Sequence, residues 1–325
     1  MLFFPKQITI AFLINNRLIL SFFKKTANKA KLTKTLEIQY SLGEVNNGRI
    51  TDLDAVKKKI NDLLIGQKQN LARVLILLPE QVVFFKGFKI EPDFNPTAAQ
   101  EQFLSEIPYP RQDLLLKSMT ENSNLQLMAV EKNLVTNLKA ALLGAKVKVE
   151  AIVPLPGVIS ILFPQDTPSI LITSLDGELV LVHLLGQTVF FSETQKIQAK
   201  NLESTVISAL QSLQQLPNTH QIKNVVLLGI ASPLLVQELT GSGFKVTNLQ
   251  FEGDILQQLA NFWFKQPKAL LAQDLSNNYN KQSKEEKGIL KNKFRLVAVI
   301  VIVLLLAGLT GFFFHLANST KIVKI

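Results

Sequence analysis

The stretch from Ser169 to Phe191, SILITSLDGELVLVHLLGQTVFF, has the outline of a hairpin that holds a phosphate group. Two apolar runs flank the pair Asp176-Gly177, and a second turn follows at Gly186. The chemistry that this outline suggests is nucleotide binding. An Asp-Gly pair between apolar strands is also a common signal for the tip of a hairpin, and we favour this simpler interpretation.

The sequence lacks the residues or spacings that most other kinds of active site and metal site require. The sequence has no cysteine, which excludes a disulfide frame, a thiolate nucleophile and a cysteine-based metal site. The three histidines, His183, His220 and His315, are far apart and form no HxxxH or HExxH spacing. No GxxxxGK[ST] loop occurs. We therefore expect no metal site and no histidine-dependent active site.

The net charge of +10 could indicate a nucleic acid or an anionic membrane as partner. Lysines cluster at 24–34, 57–59 and 281–293, without the interleaved aromatic residues that stack on bases. We therefore expect no nucleic-acid binding, and we interpret the first two clusters as solvated surface.

The elements that would carry the hairpin alternate between strands and helices. The N-terminal run MLFFPKQITIAFLINNRLILSFFKK resembles a signal peptide in hydropathy, but it lacks an early basic region and Asn15-Asn16-Arg17 interrupts it. Two alternating runs around an Asn-Asn turn predict a β-hairpin instead. Further along, QVVFFKGFKI predicts a strand pair around Gly87, and ITDLDAVKKKINDLLIG predicts a helix capped by Thr51.

Two halves of the chain follow the same plan. Each begins with a strand hairpin, near residue 8 and near residue 169, and continues as alternating helices and strands. A hairpin-initiated α/β unit that occurs twice is the plan of the actin-like nucleotide-binding fold. The predicted fold class is α/β, actin-like and two-lobed, with mixed sheets and flanking helices.

A membrane span is predicted near the C-terminus. Leu296 to Phe314, LVAVIVIVLLLAGLTGFFF, contains no charge and as a helix is long enough to cross the hydrocarbon core of a bilayer. The basic residues in front of it outnumber those behind it, which orients the body to the cytoplasm and the short tail outside. These cations, which could also contact anionic headgroups, are Lys281, Lys284, Lys287, Lys291, Lys293 and Arg295.

These patterns divide the chain into four parts. The predicted boundaries are 1–265 for the cytoplasmic actin-like domain, 266–294 for a polar basic linker, 295–316 for the transmembrane helix and 317–325 for an extracytoplasmic tail. The protein is thus expected in the cytoplasmic (inner) membrane as a single-pass protein.

Four segments resemble the PilM family, the actin-like cytoplasmic proteins of type IV pilus assembly, and the related cytoplasmic part of GspL of type II secretion. NGRITDLDAVKKKINDLL is similar to the family's G-x-I-x-D segment, and LILLPEQVVFFKGFKI to its strand–Pro–strand passage. FLSEIPYPRQDLL resembles its Glu-x-x-Ile-Pro element, and MAVEKNLVTNLKAALLGAKVKVEAI the strand, helix and strand that follow. Their order and spacing agree over most of the chain.

The resemblance implies where a nucleotide site would lie. In active members of this fold a hairpin in each half presents Asp-x-Gly, whose acid positions metal and water and whose glycine admits phosphate. At the matching places this chain has Ala11 and Leu13 in the first half, and Thr173 and Leu175 in the second. Asp176-Gly177 lies three residues downstream of the position that Thr173 occupies.

The segment that would bind adenosine also lacks a residue that the family's nucleotide site requires. The family's Gly-Gly pair falls in VVLLGIASP, where Gly229 is present but Ile230 takes the second place. A β-branched residue resists a positive φ and adds bulk where a base would lie. We therefore expect no cofactor and no enzyme activity.

The resemblance implies a non-catalytic, membrane-anchored scaffold of a pilus or type II secretion assembly platform. Its expected partners are bitopic inner-membrane assembly proteins and membrane lipid, with the motor ATPase and a second copy in a homo-oligomer as further candidates. Two alternatives stay open: an active actin-like ATPase or kinase that uses ATP and Mg²⁺, with acids supplied by Asp176, Glu178 and Glu193, or a division-type membrane anchor of the same fold.

Overall fold

The structure is a computed structural model that describes residues 7–27, 29–46, 48–67, 73–143, 148–197, 201–214 and 222–275. All of these residues belong to one unit, Met1–Ser276. The predicted span Leu296 to Phe314, the six cations before it and the tail lie outside the described residues and stay predictions. Within the described ranges, no helix is both long enough and apolar enough to cross a membrane.

Strands and helices alternate along the described chain. The strands are β1 (Gln7–Ile14), β2 (Arg17–Lys25), β3 (Ala30–Gln39), β4 (Val45–Asn46), β5 (Arg49–Ile50), β6 (Arg73–Leu78), β7 (Val83–Lys89), β8 (Leu114–Glu121), β9 (Asn124–Glu131), β10 (Lys148–Pro154), β11 (Gln165–Leu175), β12 (Glu178–Gly186), β13 (Thr188–Lys196), β14 (Asn224–Leu228) and β15 (Lys245–Leu249). The helices are α1 (Leu53–Gly66), α2 (Pro96–Ser105), α3 (Lys132–Leu143), α4 (Leu155–Leu162), α5 (Leu202–Gln214), α6 (Pro233–Gly241), α7 (Ile255–Lys265) and α8 (Pro267–Leu271). Single 3₁₀ turns occupy Glu80–Val82 and Arg111–Asp113.

Two five-stranded sheets have the same strand order. The first runs β10-β6-β1-β2-β3 and the second β13-β12-β11-β14-β15. In each sheet the first three strands in sequence pair antiparallel, and the next two lie parallel to the first of them. The predicted α/β plan, a hairpin-initiated unit that occurs twice, is therefore confirmed.

Three apolar clusters hold the two sheets and their helices together. One cluster packs α1 and α3 against the first sheet, and another packs α5 and α6 against the second. The remaining cluster joins the two sheets to each other through α4 and α7. Alternate residues of a strand point to opposite faces, and both faces of each sheet are covered, which explains why nearly every residue of β1 and β6 is buried.

A third sheet, β7-β9-β8, packs with α2 in its own cluster, and it corrects one prediction. The segment around Gly87 is not a strand pair, because β7 continues through it as a single strand paired with β9. A Cβ atom on Gly87 would lie 2.8 Å from the backbone and the ring of Phe190 in β13. Glycine at this point permits the close approach of two strands rather than a turn.

The start of α1 corrects a second, smaller prediction. Asp52, not Thr51, caps the helix, because its carboxylate accepts hydrogen bonds from the backbone N–H groups of Asp54 and Ala55. The hydroxyl of Thr51 instead donates to the carbonyl oxygen of Gly43 at 2.7 Å. The helix therefore begins one residue later than its sequence suggests.

The folded body extends beyond residue 265, into the segment predicted as a linker. Asp274 is buried, and its carboxylate accepts a hydrogen bond from the backbone N–H of Ile152 at 2.9 Å. The backbone N–H of Leu275 donates to the carbonyl oxygen of Ile152, and the Leu275 side chain lies in the apolar cluster of the first sheet. The last described residues are thus part of the core.

Candidate functional site

The first hairpin tip, between β1 and β2, is a tight turn that hydrogen bonds to neighbouring segments hold in place. Asn15 has a φ of 52°, a left-handed conformation that asparagine tolerates well. Its carbonyl oxygen accepts from the N–H of Gly48, and the side-chain amide of Asn16 donates to the carbonyl oxygen of Tyr40. These contacts fix the direction in which the tip residues point.

The second tip, between β11 and β12, has the matching form. Asp176 and Gly177 have φ values of 55° and 78°, and the positive pair is typical of a two-residue type I′ hairpin turn. The carbonyl oxygen of Gly177 accepts a hydrogen bond from the N–H of Ile197, after the end of β13. The prediction that Asp176-Gly177 forms a turn tip is confirmed.

The two tips contact each other directly. The guanidinium group of Arg17 forms an ion pair with the carboxylate of Asp176, and both side chains are about three-quarters buried. The side-chain amide of Asn15 donates to the carboxylate of Glu178 at 2.9 Å. A charge-assisted pair and an amide–carboxylate hydrogen bond therefore connect the halves at the place where each hairpin turns.

Glu178 is the buried centre of this contact, with a relative exposure of 5%. One carboxylate oxygen accepts from Asn15, and the other accepts from the side-chain amide of Gln81 at 2.9 Å. Both donors belong to the first half of the chain, whereas Glu178 belongs to the second. A buried carboxylate requires such donors, so this contact couples the two halves.

A second acid approaches Glu178 from the first half. The pKa of Glu80 is raised to about 7, mainly by burial; hydrogen bonds from Thr194 act to lower it, and the nearby charges of Glu193 and Glu178 act to raise it. Glu80 lies in the 3₁₀ turn after β6, and Thr194 lies in β13. This carboxyl group is therefore placed to titrate near neutral pH.

A polar cleft of about 400 Å³ opens beside these contacts. Its lining residues are Asn15, Arg49, Gln81, Glu178, Thr194 and Lys196. Within the described residues, no group of three or more His, Asp or Glu side chains is arranged to hold a metal ion.

The four positions where the fold would place Asp-x-Gly hold buried side chains. Ala11 and Leu13 lie in the cluster beneath α1, and Leu175 lies in the cluster between the sheets. The hydroxyl of Thr173 is buried and donates to the carbonyl oxygen of Leu228 at 3.2 Å. These positions offer a magnesium ion no carboxylate, and the nearby Asp176 already pairs with Arg17. The residues present do not fit a magnesium–nucleotide group.

The predicted adenosine side is occupied by an aromatic ring. Gly229 has a φ of 70°, and a Cβ atom on it would lie 3.2 Å from the ring of Phe251. That ring stacks on Phe163, with centroids 5.6 Å apart. Ile230 is buried in the cluster beneath α5 and α6. Gly229 and Ile230 thus serve local packing.

The side chains that close the gap between the tips are not apparent from the sequence patterns. Asn15 and Asn16 are predicted there only as a turn, and Arg17, Glu80 and Gln81 receive no role. A signal was available, because two polar hairpin tips at equivalent positions of a duplicated fold are expected to face each other. The specific pairing of side chains required the structure.

No family model and no curated protein matches the sequence. Among solved structures, a chain of a PilM–PilN type IV pilus biogenesis complex is similar, with 16% identity, a TM-score of 0.53, and coverage of 84% of this chain and 99% of that chain. The cytoplasmic domain of EpsL, an inner membrane component of the type II secretion system of Vibrio cholerae, has 11% identity and a TM-score of 0.48, covering 80% and 95%. A protein of Bacteroides thetaiotaomicron with an actin-like ATPase fold has 11% identity and a TM-score of 0.45, covering 78% and 95%.

The similarity to the PilM–PilN complex confirms the predicted resemblance at the level of the fold. It extends over nearly the whole of the matched chain and most of this one. The described body is therefore a duplicated α/β domain that shares its fold with a chain of the PilM–PilN complex.

Proposed function

We propose that this protein is a membrane-anchored scaffold of a type IV pilus or type II secretion-like assembly platform, and that it works without nucleotide hydrolysis. The observation that carries the proposal is the contact between the hairpin tips. Arg17 pairs with Asp176 and Asn15 with Glu178 in the region where a nucleotide-binding member of the fold would bind phosphate. These side chains already satisfy one another, so the two halves need no bound ligand to connect them.

Partner choice follows from the similar fold. The similar solved chain comes from a PilM–PilN type IV pilus biogenesis complex, and this chain covers nearly all of it. We therefore propose a bitopic inner-membrane assembly protein as the partner of the described body. A motor ATPase and a second copy of this chain are further candidates.

The membrane anchor in this proposal is the predicted span Leu296 to Phe314. It would place the described body on the cytoplasmic side and the residues after 314 outside. The native chain has no cysteine, so introduced cysteines report topology without background. A membrane-impermeant maleimide should label Thr320→Cys in intact cells and Asn280→Cys only after permeabilisation. Labelling of Asn280→Cys in intact cells would contradict the orientation.

An active ATPase is the second candidate, favoured by the acids beside the cleft. Glu80, Glu178 and Glu193 lie close enough for their charges to influence one another. Against it, each carboxylate oxygen of Glu178 already accepts a hydrogen bond from a side-chain amide of the first half.

A thermal-shift titration separates the two candidates. The full chain is heated with Mg²⁺ alone and with Mg²⁺ and ATP at increasing concentration. A site saturated one-hundredfold above its Kd would stabilise the protein by about 2.7 kcal/mol, a shift of several degrees. We expect no ATP-dependent shift and no phosphate release. A saturable shift, or hydrolysis above that of a mock purification, would refute the non-catalytic proposal.

A further inference from the structure

The chain crosses between its two halves twice. Helix α4 leads from β10 of the first sheet to β11 of the second, and the chain returns after β15 through α7 and α8. We call residues 266–275, which contain α8 and end at the last described residue, the strap. The strap brings the chain back to β10, so the end of the described body lies against the strand from which the first crossing began.

The end of the strap closes an open edge of the first sheet. β10 is the outermost strand of that sheet and pairs only with β6 among the described strands. The backbone N–H of Ile152 donates to the carboxylate of Asp274, and the carbonyl oxygen of Ile152 accepts from the N–H of Leu275, both at 2.9 Å. Unpaired edge groups are a template for pairing with another chain, and here the strap satisfies them.

A lysine of the third sheet also holds the strap. The Nζ atom of Lys117 in β8 donates to the backbone carbonyl oxygen of Asp274 at 2.9 Å. Burial lowers the pKa of Lys117 to about 8, although the negative charge of Asp274 acts to raise it. Burial likewise lowers the pKa of Lys139 in α3, which the charge of Asp274 also acts to raise. The contact with Lys117 is therefore costly to form, because its ammonium group loses part of its hydration.

The strap contains a buried amide group that makes no hydrogen bond with any described residue. Gln273 has a relative exposure of 0%, and neither its Oε1 nor its Nε2 atom has a partner within the part of the chain that the structure describes. Its Oε1 atom lies 2.9 Å from the position that a Cβ atom on Gly157 of α4 would occupy, so the amide packs against the first crossing. A buried amide without partners loses its hydrogen bonds to water and gains none in return. The closed strap is therefore less stable than it would be with an apolar side chain at residue 273.

The helix of the strap adds little stability of its own. α8 has five residues with Pro267 at its start, and no side chain caps its first turn. By contrast, α7 has eleven residues, and the carboxylate of Asp254 accepts from the backbone N–H of Gln257 at its start. A single uncapped turn depends on packing, which Leu270 and Leu275 supply with side chains that are almost fully buried. The border between stable and weak structure thus lies between α7 and α8.

We propose that the strap is a releasable clasp, which detaches from β10 and β8 as one unit while the three sheets and α7 stay folded. Two unfavourable features, the partnerless amide of Gln273 and the partly dehydrated ammonium group of Lys117, coincide in the contacts of this one segment. Local opening of a segment with few stabilising contacts requires less free energy than global unfolding. Release would return both groups to water and would leave the edge groups of Ile152 open.

Release would also lengthen the chain that follows the folded body. Ten residues, fully extended, span about 33 Å, so the body could move by up to this distance relative to residue 276 without unfolding. Under the proposed scaffold function, this freedom would let the body follow a moving partner while the chain stays attached to the membrane. The inference itself concerns only the described body and does not require the anchor.

The first test compares the reactivity of two buried cysteines in the full chain, which has none of its own. Leu275→Cys reports on the strap, and Leu181→Cys in β12, which replaces an equally buried leucine, reports on the second sheet. We expect a thiol reagent to label Leu275→Cys at least about tenfold faster, with a weak dependence of the rate on urea, because its opening exposes little surface. If both cysteines react at one rate with one urea dependence, the strap opens only in global unfolding and the proposal is wrong.

Hydrogen exchange of the unmodified chain provides the same comparison without a substitution in the strap. Peptides from 266–275 should exchange faster than peptides from α7, whose protection should match that of the second sheet. Equal protection of the strap and of α7 would contradict the proposal.

Replacement of the buried amide tests its part in the release. Gln273→Leu removes the partnerless groups at similar volume, and we expect hydrogen exchange of the strap to slow by about tenfold. The matched variant Gln126→Leu changes a buried glutamine of β9 that accepts a hydrogen bond from the N–H of Val189, and it should leave exchange of the strap unchanged.

The opposite change tests the contact with the sheet edge. Asp274→Ala removes the acceptor of the Ile152 N–H and should speed exchange of the strap by about tenfold, without a change in α7. Unchanged or faster exchange of the strap in Gln273→Leu, or equal acceleration of the strap and α7 in Asp274→Ala, would overturn the proposal. Loss of the membrane anchor would change none of these results, so the two proposals fail separately.

Discussion

The guanidinium group of Arg17 meets the carboxylate of Asp176 across a sequence separation of 159 residues. Each residue lies at the tip of the first hairpin of its half, so the ion pair joins the two equivalent hairpins of a duplicated fold. Arg17 also contacts Glu37 at 3.3 Å, which holds the guanidinium in place. The contact is partly buried and therefore less screened than an ordinary surface pair.

The ion pair between the tips should contribute measurably to stability. Arg17→Ala and Asp176→Asn, the latter chosen because asparagine suits the same turn, should show a coupling energy of about 1 kcal/mol in a double-mutant cycle. Urea denaturation of the wild type and the three variants measures it. Lys29 and Glu252 form an exposed long-range pair at 2.5 Å, and the same cycle there should give less than about 0.5 kcal/mol. Equal couplings would contradict the special role of the tips.

Removal of the buried carboxylate of Glu178 should lower the free energy of unfolding more than removal of the ion pair does. Glu178→Ala leaves the side-chain amides of Asn15 and Gln81 without their acceptor, and we expect a loss of about 2–3 kcal/mol in the free energy of unfolding. Glu178→Gln keeps one acceptor oxygen and should cost clearly less. Chemical denaturation at neutral pH compares the two. A smaller loss for Glu178→Ala than for Glu178→Gln would show that the hydrogen bonds do not matter.

Glu80 should make stability depend on pH. Its pKa is raised by burial from 4.5 to about 7, so the folded protein keeps this proton at pH values where the unfolded chain has lost it. The stability that Glu80 contributes is therefore complete below about pH 4.5 and is lost as the pH rises through about 7. Allowing for its partial exposure, Glu80→Gln should gain about 1–2 kcal/mol relative to wild type between pH 5 and pH 8.

Denaturation curves at pH 5 and pH 8 measure this difference, with Glu101→Gln on the exposed face of α2 as the control. Between pH 5 and pH 8, the free energy of unfolding of the control should change by the same amount as that of the wild type. If the free energy of unfolding of the Glu80→Gln variant also changed by the same amount as that of the wild type, the elevated pKa of Glu80 would be contradicted.

Gly87 should tolerate no side chain. A Cβ atom there would lie 2.8 Å from the backbone and ring of Phe190, so Gly87→Ala should push β7 away from β13 and cost about 2 kcal/mol or more. Gly66, at the end of α1, has open space around it, because a Cβ atom added there would meet no atom within 4 Å. Gly66→Ala should therefore be neutral or stabilising by up to about 1 kcal/mol. Thermal unfolding of both variants compares them, and equal effects would argue against the close strand contact.

The last described residue should contribute to the stability of the described body. Leu275 is 1% exposed within the cluster of the first sheet, so Leu275→Ala should cost about 2–4 kcal/mol. Leu249 on β15 is 36% exposed, and Leu249→Ala should cost less than half as much. Unfolding in urea tests both. A negligible effect of Leu275→Ala on stability would indicate that the folded body ends near residue 265.

Local patterns predicted the elements well where the pattern spans a whole element. The alternating runs around Asn15-Asn16 and around Asp176-Gly177 predicted both hairpins, and the repeat of hairpin and alternation predicted two similar sheets. Apolar periodicity and turn residues are local properties, so a single sequence contains them.

Local patterns could not predict the contacts between segments that are distant in the sequence. The sequence predicted a turn at Gly87 because the true reason for the glycine, the close approach of β13, comes from a segment about one hundred residues later in the chain. The cross-strand pairing of Lys24 with Lys31 depends on a register shift between Phe22 and Phe23, which the lysine spacing alone does not reveal. The joining of Arg17 to Asp176 likewise requires the packing of the two sheets against each other.

The hydrogen bonds to Glu178 have a consequence for when the protein can work. In a body whose halves are separated by a bound nucleotide, the distance between them changes as the cell's ATP supply changes. Here Asn15, Gln81 and Glu178 define that distance from within the chain itself. Under the proposed scaffold function, an assembly partner would thus bind the same surface in starved and in growing cells, and any timing of assembly would have to come from another component.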